Sequence, residues 1–193
     1  MRGWTRFAVV FLSFTLLACG GGGGNTPTTP TGATPFPAAP DDPLFAQLWH
    51  LLNTGQASGT VGEDCRATQV WPVSTGTGVT IAVLDDGLEL AHEDLADNIA
   101  SFGHRDYIDA PVDSDPSPPV GGAPSAHGTS VAGVCAGRGN NGLGTTGVAP
   151  RASLVGRRIL GGAGATEAQV QEAETLNADQ IHIINMSFGP NDD

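Results

Sequence analysis

Residues 79–87 read Val-Thr-Ile-Ala-Val-Leu-Asp-Asp-Gly, an apolar run that stops at Asp85 and Asp86. A glycine turn, Thr75-Gly-Thr-Gly78, precedes it. Continuous rather than alternating apolarity over Val79 to Leu84 predicts a strand buried on both faces, as at the centre of a parallel sheet. Ligands and reacting groups of such sheets gather beyond the carboxyl ends of the strands, which is where Asp85 falls. Asp-Gly is also ordinary turn chemistry, so this stretch alone assigns the acid no role.

The residue that changes this reading is His127, in Ser125-Ala-His-Gly-Thr-Ser-Val-Ala-Gly-Val-Cys-Ala-Gly137. Ala132, Gly133 and Ala136 let a helix pack closely, and Gly137 is suited to end it. A histidine at a helix start, set beside an acid at a strand end, is a candidate general base. The acid fixes its tautomer and stabilises its cation.

Around these two stretches the pattern alternates strand and helix, which implies an α/β fold. Ser153 to Leu160 reads as a second strand, with Arg157 and Arg158 needing solvent or an acid. Gly161 to Gly164 is a flexible loop. Thr166 is suited to cap a helix running through Leu176, with Val170, Ala173 and Leu176 toward the core. Ile181 to Met186 reads as a third strand. Upstream, Phe45, Leu48 and Trp49 have helix-like spacing and predict a short amphipathic turn packed on the body, with Asp42 as its cap. Residues 53–64 read as loop, Ala67 to Trp71 as a short helix ending at Pro72, and 113–124 as a surface loop.

The first eighteen residues carry Arg2 and Arg6 ahead of a short apolar run, the pattern of a signal peptide rather than a membrane span. Leu16-Leu-Ala-Cys19 resembles a bacterial lipobox, which implies cleavage before Cys19 and a lipid on that cysteine, an anchor that does not span the membrane. Residues 19–40 are a Gly run and then a Thr/Pro tether that cannot bury a core. The folded part is expected over 41–193. The chain is thus expected to be exported, held on the bacterial cell envelope, or secreted where Cys19 carries no lipid.

The formal charge of the 193 residues is -12, with all eight basic residues arginine. An acidic surface argues against nucleic acid and anionic lipid headgroups as partners. It suits a calcium ion or a cationic substrate, and also plain solubility. Besides Cys19 there are Cys65 and Cys135. In an exported protein such a pair suggests a disulfide, but free thiols or a partner elsewhere fit nearly as well.

Several motifs in fixed order now point one way. They are Val83-Leu-Asp-Asp-Gly87, His92-Glu-Asp-Leu95, His127-Gly-Thr-Ser-Val-Ala-Gly133, Gly147-Val-Ala-Pro150 and Ile184-Asn-Met-Ser-Phe-Gly189. Together they resemble the subtilase family of serine proteases, in which the triad runs Asp, His, then a later Ser. Asp85-Asp86, Asp42-Pro-x-Phe45-x-x-x-Trp49, Asn140-Asn-Gly142, Ile181-His-Ile183 and Ser187-Phe-Gly-Pro-Asn-Asp-Asp193 are closest to its kexin and furin branch. The resemblance implies a three-layer α/β fold with a mainly parallel central sheet, of which this chain holds the N-terminal half. It implies Asp85 as the orienting acid and His127 as the base. It places Asp86 and Asp192 in pockets for basic side chains, and Ser187 and Gly189 along the substrate backbone. The same comparison implies a calcium ion held by the side chains of Asp42, Asp94 and Asn141 and the carbonyls of Arg138, Leu143 and Thr145, an oxygen set suited to a hard cation.

Two departures qualify this. Pro124 and Ser125 stand where the convertases carry an acid and an amide, which weakens dibasic selectivity and leaves cleavage after a single basic residue. Ser130 and Ser187 lack the context of the family nucleophile, and Asn185 does not match its oxyanion asparagine. Both groups are expected downstream, so the 193 residues alone are expected to be inactive. No room exists between Cys19 and Asp42 for the usual folding pro-segment, so folding without one, or with a separate chaperone, is expected. The alternatives are a catalytically dead fold that serves as a binding module, and a subtilase of broad specificity.

Overall fold

The computed structural model describes residues 36–109, 111–119 and 126–189. In chain order the regular elements are helix α1 (Ala67–Val70), strand β1 (Thr80–Asp85), strand β2 (Arg105–Asp106), helix α2 (His127–Ala136), strand β3 (Ser153–Arg158), helix α3 (Glu167–Thr175) and strand β4 (Ile183–Asn185). The four strands form one sheet in the order β2-β3-β1-β4, and every pairing is parallel.

Strand β1 is buried at all six positions, as its unbroken apolar run requires. Side chains alternate across a strand. Ile81 and Val83 therefore face one side, with Leu88, Leu95, Leu154 and the α2 residues Ala132 and Ala136. Ala82 and Leu84 face the other, with Tyr107, Val155, Ile159 and Ala173 of α3. Helix, sheet and helix make the three expected layers. Asp85 continues the odd-numbered series, so the strand's own period directs it to the α2 side.

Small residues set the depth of α2. A Cβ on Gly147 would stand 2.5 Å from both the N and Cα of Ala136, so only glycine permits this approach. A third cluster, Phe45, Leu51, Ala67 and Trp71, packs the N-terminal segment, and Trp71 Nε1 donates to the Val148 carbonyl at 2.9 Å.

Several elements differ from the sequence reading. The segment after Asp42 is one 3₁₀ turn, Phe45–Gln47. Phe45 is buried but Trp49 is 50% exposed, because a single tight turn does not continue the 3.6-residue stripe. Asp42 is not its side-chain cap: Phe45 N–H bonds the Asp42 carbonyl, and the carboxylate turns to the loop at 140–146. The third strand is shorter than expected, since β4 pairs only with Ile81 to Val83 of β1.

The two arginines of β3 part ways. Arg158 bonds Asp106 at 2.8 Å and Asp109 at 2.6 Å, as expected. Arg157 is fully buried and pairs with no acid among the described residues. Its guanidinium donates to the carbonyls of Gly103 (3.1 Å), Ala173 and Leu176 (2.5 Å). Two of these belong to the last turn and cap of α3, where carbonyls lack helical partners and the dipole favours a cation. Burial still pushes its pKa below the ordinary guanidinium value. The other end of α3 carries the expected cap, with Thr166 and Gln169 forming a capping box. Cys65 is exposed, Cys135 half-buried, and both are free thiols. The leader, Cys19, most of the tether and Asp192 lie outside the described residues.

Candidate functional site

His127 is the first residue of α2, and its Nδ1 lies 2.8 Å from Asp85 Oδ1 at the end of β1. The two environments are opposite. Asp85 is 1% exposed and its carboxylate also accepts the Asp86 N–H at 2.8 Å. The His127 side chain is 54% exposed, and its Nε2 makes no hydrogen bond among the described residues. The bond to Asp85 raises the His127 pKa above its ordinary 6.5, the Asp85 charge adds to this, and Asp86 contributes a smaller amount. A buried acid that fixes Nδ1–H and leaves Nε2 accessible makes an imidazole that can take a proton from an incoming hydroxyl.

The residues beside His127 explain how the pair is brought so close. A Cβ on Gly128 would stand 2.7 Å from Asp85 Cβ and closer still to the Gly87 carbonyl oxygen, so the helix start can reach the strand end only as glycine. Gly128 N–H donates to Asp86 Oδ1 at 2.8 Å. Asp86 thereby caps α2 at the end where a negative charge is favoured. Thr129 is buried and its hydroxyl accepts the Glu89 N–H at 3.1 Å, tying the turn after Asp86 to the helix. Gly87 itself sits at φ +136, where glycine is at home. The sequence reading did not foresee these parts for Gly128 and Thr129; the run of small residues after His127 was the available signal.

Among the described residues neither Ser130 nor Ser187 is hydrogen-bonded to His127. Ser130 Oγ donates to the Ala126 carbonyl at 2.7 Å, and Ser187 Oγ accepts from Asn185 Nδ2 at 2.8 Å. Residues 186–189 are exposed and follow β4 directly. Their backbone N–H and C=O groups, Ser187 and Gly189 included, make no backbone hydrogen bonds among the described residues.

The six oxygen-bearing residues expected around a cation fall into one neighbourhood. Asp42 and Asp94 are both buried at 4% exposure. Asp42 accepts N–H bonds from Asn140 (2.8 Å) and Asn141 (3.1 Å) and the Thr146 hydroxyl. Asp94 accepts the Asn141 amide (3.1 Å) and the Thr145 N–H (2.7 Å) and hydroxyl (3.1 Å). A Cβ on Gly144 would stand 2.8 Å from Asp94 Cγ, so the loop wraps that carboxylate as closely as glycine allows. The carbonyls of Arg138, Leu143 and Thr145 accept no hydrogen bond among the described residues. The Asn141 Oδ1 accepts the Leu143 N–H at 3.0 Å while its Nδ2 faces Asp94, so this amide offers its oxygen only after turning; with it, the two buried carboxylates and the three carbonyls make an oxygen donor set, which fits a hard cation such as calcium and not a soft one.

A second possible metal group is the site itself. The ligand atoms of Asp85, Asp86 and His127 lie within 4.8 Å of one another. His127 Nδ1 and one oxygen of each carboxylate are already engaged there, while the buried Asp85 Oδ2 has no hydrogen-bond partner among the described residues. Two further histidines are half-buried: His104 is held in place, bonding the Ala100 carbonyl at 2.7 Å and accepting the Gly156 N–H at 3.0 Å, while the buried His50 Nε2 has no partner among the described residues, and burial lowers the pKa of both. A cavity of about 540 Å³ runs beside α2 between Leu44, Glu89, Ser130, Val134 and Thr145; neither Asp85 nor His127 lines it.

With this geometry in place, the comparisons with known proteins agree. The family model described as "Subtilase family" matches residues 76–193. The chain is 44% identical over 158 residues to a PC3-like endoprotease, variant B, of Hydra vulgaris, covering 80% of this chain and 21% of that protein. It is 35% identical to neuroendocrine convertase 2 of Homo sapiens, covering 79% and 24%. Among solved structures, the serine protease of Aeromonas sobria is 36% identical, with a TM-score of 0.67, over 79% of this chain and 26% of that one. A second structure holds the Aeromonas sobria protease in complex with a chaperone, at 35% identity and the same TM-score. The chain spans between 19% and 24% of the length of the curated relatives it matches.

Proposed function

Because the chain belongs to the subtilase family, we propose that Asp85 and His127 are the acid and base of a serine endopeptidase whose nucleophilic serine comes from sequence beyond residue 193. The observation that carries this is the 2.8 Å bond between buried Asp85 and exposed His127. His127 Nε2 takes the serine proton as the hydroxyl attacks the scissile carbonyl, then delivers it to the leaving amine. Asp85 holds Nδ1–H throughout and stabilises the imidazolium.

The substrate is a polypeptide. Its extended backbone pairs along Ser187 to Gly189, whose own backbone groups are available, in the manner of an added strand. Asp86 and Asp192 give the preference for basic side chains, in keeping with the acidic chain, and Pro124-Ser125 keep it to one basic residue before the cut. Calcium held by the Asp42, Asp94 and 138–145 oxygens ties the N-terminal segment to the body. Cys19 carries a lipid that keeps the exported protein on the bacterial envelope. Folding draws on a separate chaperone, by analogy with the complexed Aeromonas protease.

The test uses the full-length protein. A fluorophosphonate labels wild type and fails to label His127→Ala, and a peptide library shows cleavage after Arg or Lys. A wild type that does not label sinks the enzyme reading in favour of a binding module. Cleavage without preference for a basic residue removes the roles given to Asp86 and Asp192.

A further inference from the structure

Asn98 is 4% exposed and ends the turn Ala96–Asn98 that follows Asp94. Its amide touches none of the oxygens assigned to the cation. Nδ2 donates to the carbonyls of Ala136 (2.8 Å) and Pro150 (3.0 Å), and Oδ1 accepts from Arg138 Nη1 at 2.7 Å. The Arg138 N–H in turn donates to the Asp94 carbonyl at 2.8 Å.

These partners bracket one loop. Ala136 is the last residue of α2, from which the loop departs, and Arg138 is its first oxygen donor. Pro150 is where the chain returns toward β3. Between them lie Asn141, Leu143 and Thr145. One buried side chain thus joins the turn that carries Asp94, the exit of the loop and its return.

We propose that Asn98 is a positioning residue for the calcium site. It fixes both ends of the 138–150 loop against the Asp94 turn, so that the oxygens stand in place before the ion arrives. The proposal rests on the calcium reading above. Its physical basis is preorganisation: a cation that needs six or more oxygens loses affinity when a loop must be ordered to supply them. Asn98 is well suited because a carboxamide both donates to the carbonyls and accepts from the guanidinium. A leucine of similar size does neither.

The test measures calcium binding by titration calorimetry on the full-length protein, at a temperature where circular dichroism shows each variant folded. Asn98→Ala is expected to weaken calcium binding by about tenfold or more. Asn98→Asp keeps the Arg138 partner but loses both donations, and also weakens it. Arg138→Met removes the bond to Asn98 and a long, exposed ion pair with Asp97 at 3.9 Å, and keeps the Arg138 carbonyl; a loss of a few fold is expected, while Asp97→Asn, which breaks the ion pair alone, should leave the affinity unchanged. A merely structural role lowers stability in chelator and leaves the affinity of the folded variants unchanged, which overturns the proposal. Should Asn98→Ala not fold, Arg138→Met decides, with wild-type affinity as the overturning result. A folded wild type that takes up no calcium is a different outcome: it removes the calcium reading itself.

Discussion

Two glycines one turn and a half apart on α2 are expected to respond to the same substitution with opposite signs. A Cβ on Gly128 would stand 2.7 Å from Asp85 Cβ and meet the Gly87 carbonyl oxygen, both in well-fixed parts of the fold. Restoring an ordinary carbon–carbon separation of about 3.6 Å requires the helix start to retreat by about 0.9 Å. The His127–Asp85 bond, now 2.8 Å, then opens to about 3.7 Å, outside hydrogen-bonding range. Overpacking of this kind costs about 1–3 kcal/mol, and the better helix propensity of alanine returns at most about 1 kcal/mol. A Cβ on Gly133 meets nothing within 4 Å, so there the propensity gain of about 0.5–1 kcal/mol stands alone. In a chain of this size, at about 2–4 °C per kcal/mol, Gly128→Ala should lower Tm by up to about 8 °C and Gly133→Ala raise it by about 1–4 °C. The first variant should also let the His127 pKa, followed by imidazole NMR, fall toward 6.5, and the second leave it raised. If Gly128→Ala melts at or above wild type with its His127 pKa unchanged, the account of why glycine follows the histidine is wrong.

Asp85→Asn removes the main cause of the raised His127 pKa, so the imidazole should titrate at a lower pH than in wild type. Because the folded pKa is raised, the stabilising pairing is complete below pH 6.5 and is lost as pH climbs through the folded value. The stability gap between wild type and Asp85→Asn, measured in urea, should narrow over that rise; a gap that widens refutes the assignment. Arg157→Met strands three carbonyls and should cost about 2–4 kcal/mol by urea unfolding. Arg157→Lys should recover little of it, since an ammonium lacks the planar fork that spans two helix carbonyls and a loop; full recovery would show that charge alone matters. Calcium at about a hundredfold over its Kd should stabilise the chain by about 2.7 kcal/mol, and chelation should remove that gain. A melting curve indifferent to both would end the calcium reading.

The parts of the fold that the sequence made legible are those governed by short-range periodicity. The unbroken apolar run of β1 implied burial on both faces, and Thr166 implied a helix start. The placement of Asp85 and His127 was readable because each sits at an element end. What was hidden depends on tertiary approach. Nothing local to Arg157 indicates that helix carbonyls rather than an acid receive it. Nothing local to Asp42 says that its carboxylate crosses to Asn140 and Thr146 instead of capping its own turn. Trp49 was misplaced because a 3₁₀ turn advances about 120° per residue rather than about 100°, which swings the fourth residue off the stripe, and composition does not encode which turn forms. The role of Asn98 is visible only once residues 136, 138 and 150 are seen to converge on it.

The topology of the sheet has a consequence for how the protein is made. Strand β1 is central, yet both strands that flank it, β3 and β4, lie downstream of it in the chain. Leu84 therefore leaves the ribosome well before Asn185 exists. At roughly 5–20 residues per second, the wait is on the order of 5–20 s. Until α2 and then β3 are made, this apolar strand has two unpaired edges and lacks its cover, and the edge that takes β4 stays open throughout the interval. Its close follower, the acid of the pair, is held in place by neither the strand nor the helix that later define it. A parallel sheet cannot shorten this delay by pairing locally, as a hairpin would. The order of synthesis thus makes residues 80–85 the segment most in need of protection, and the one on which any assisting partner has most to act.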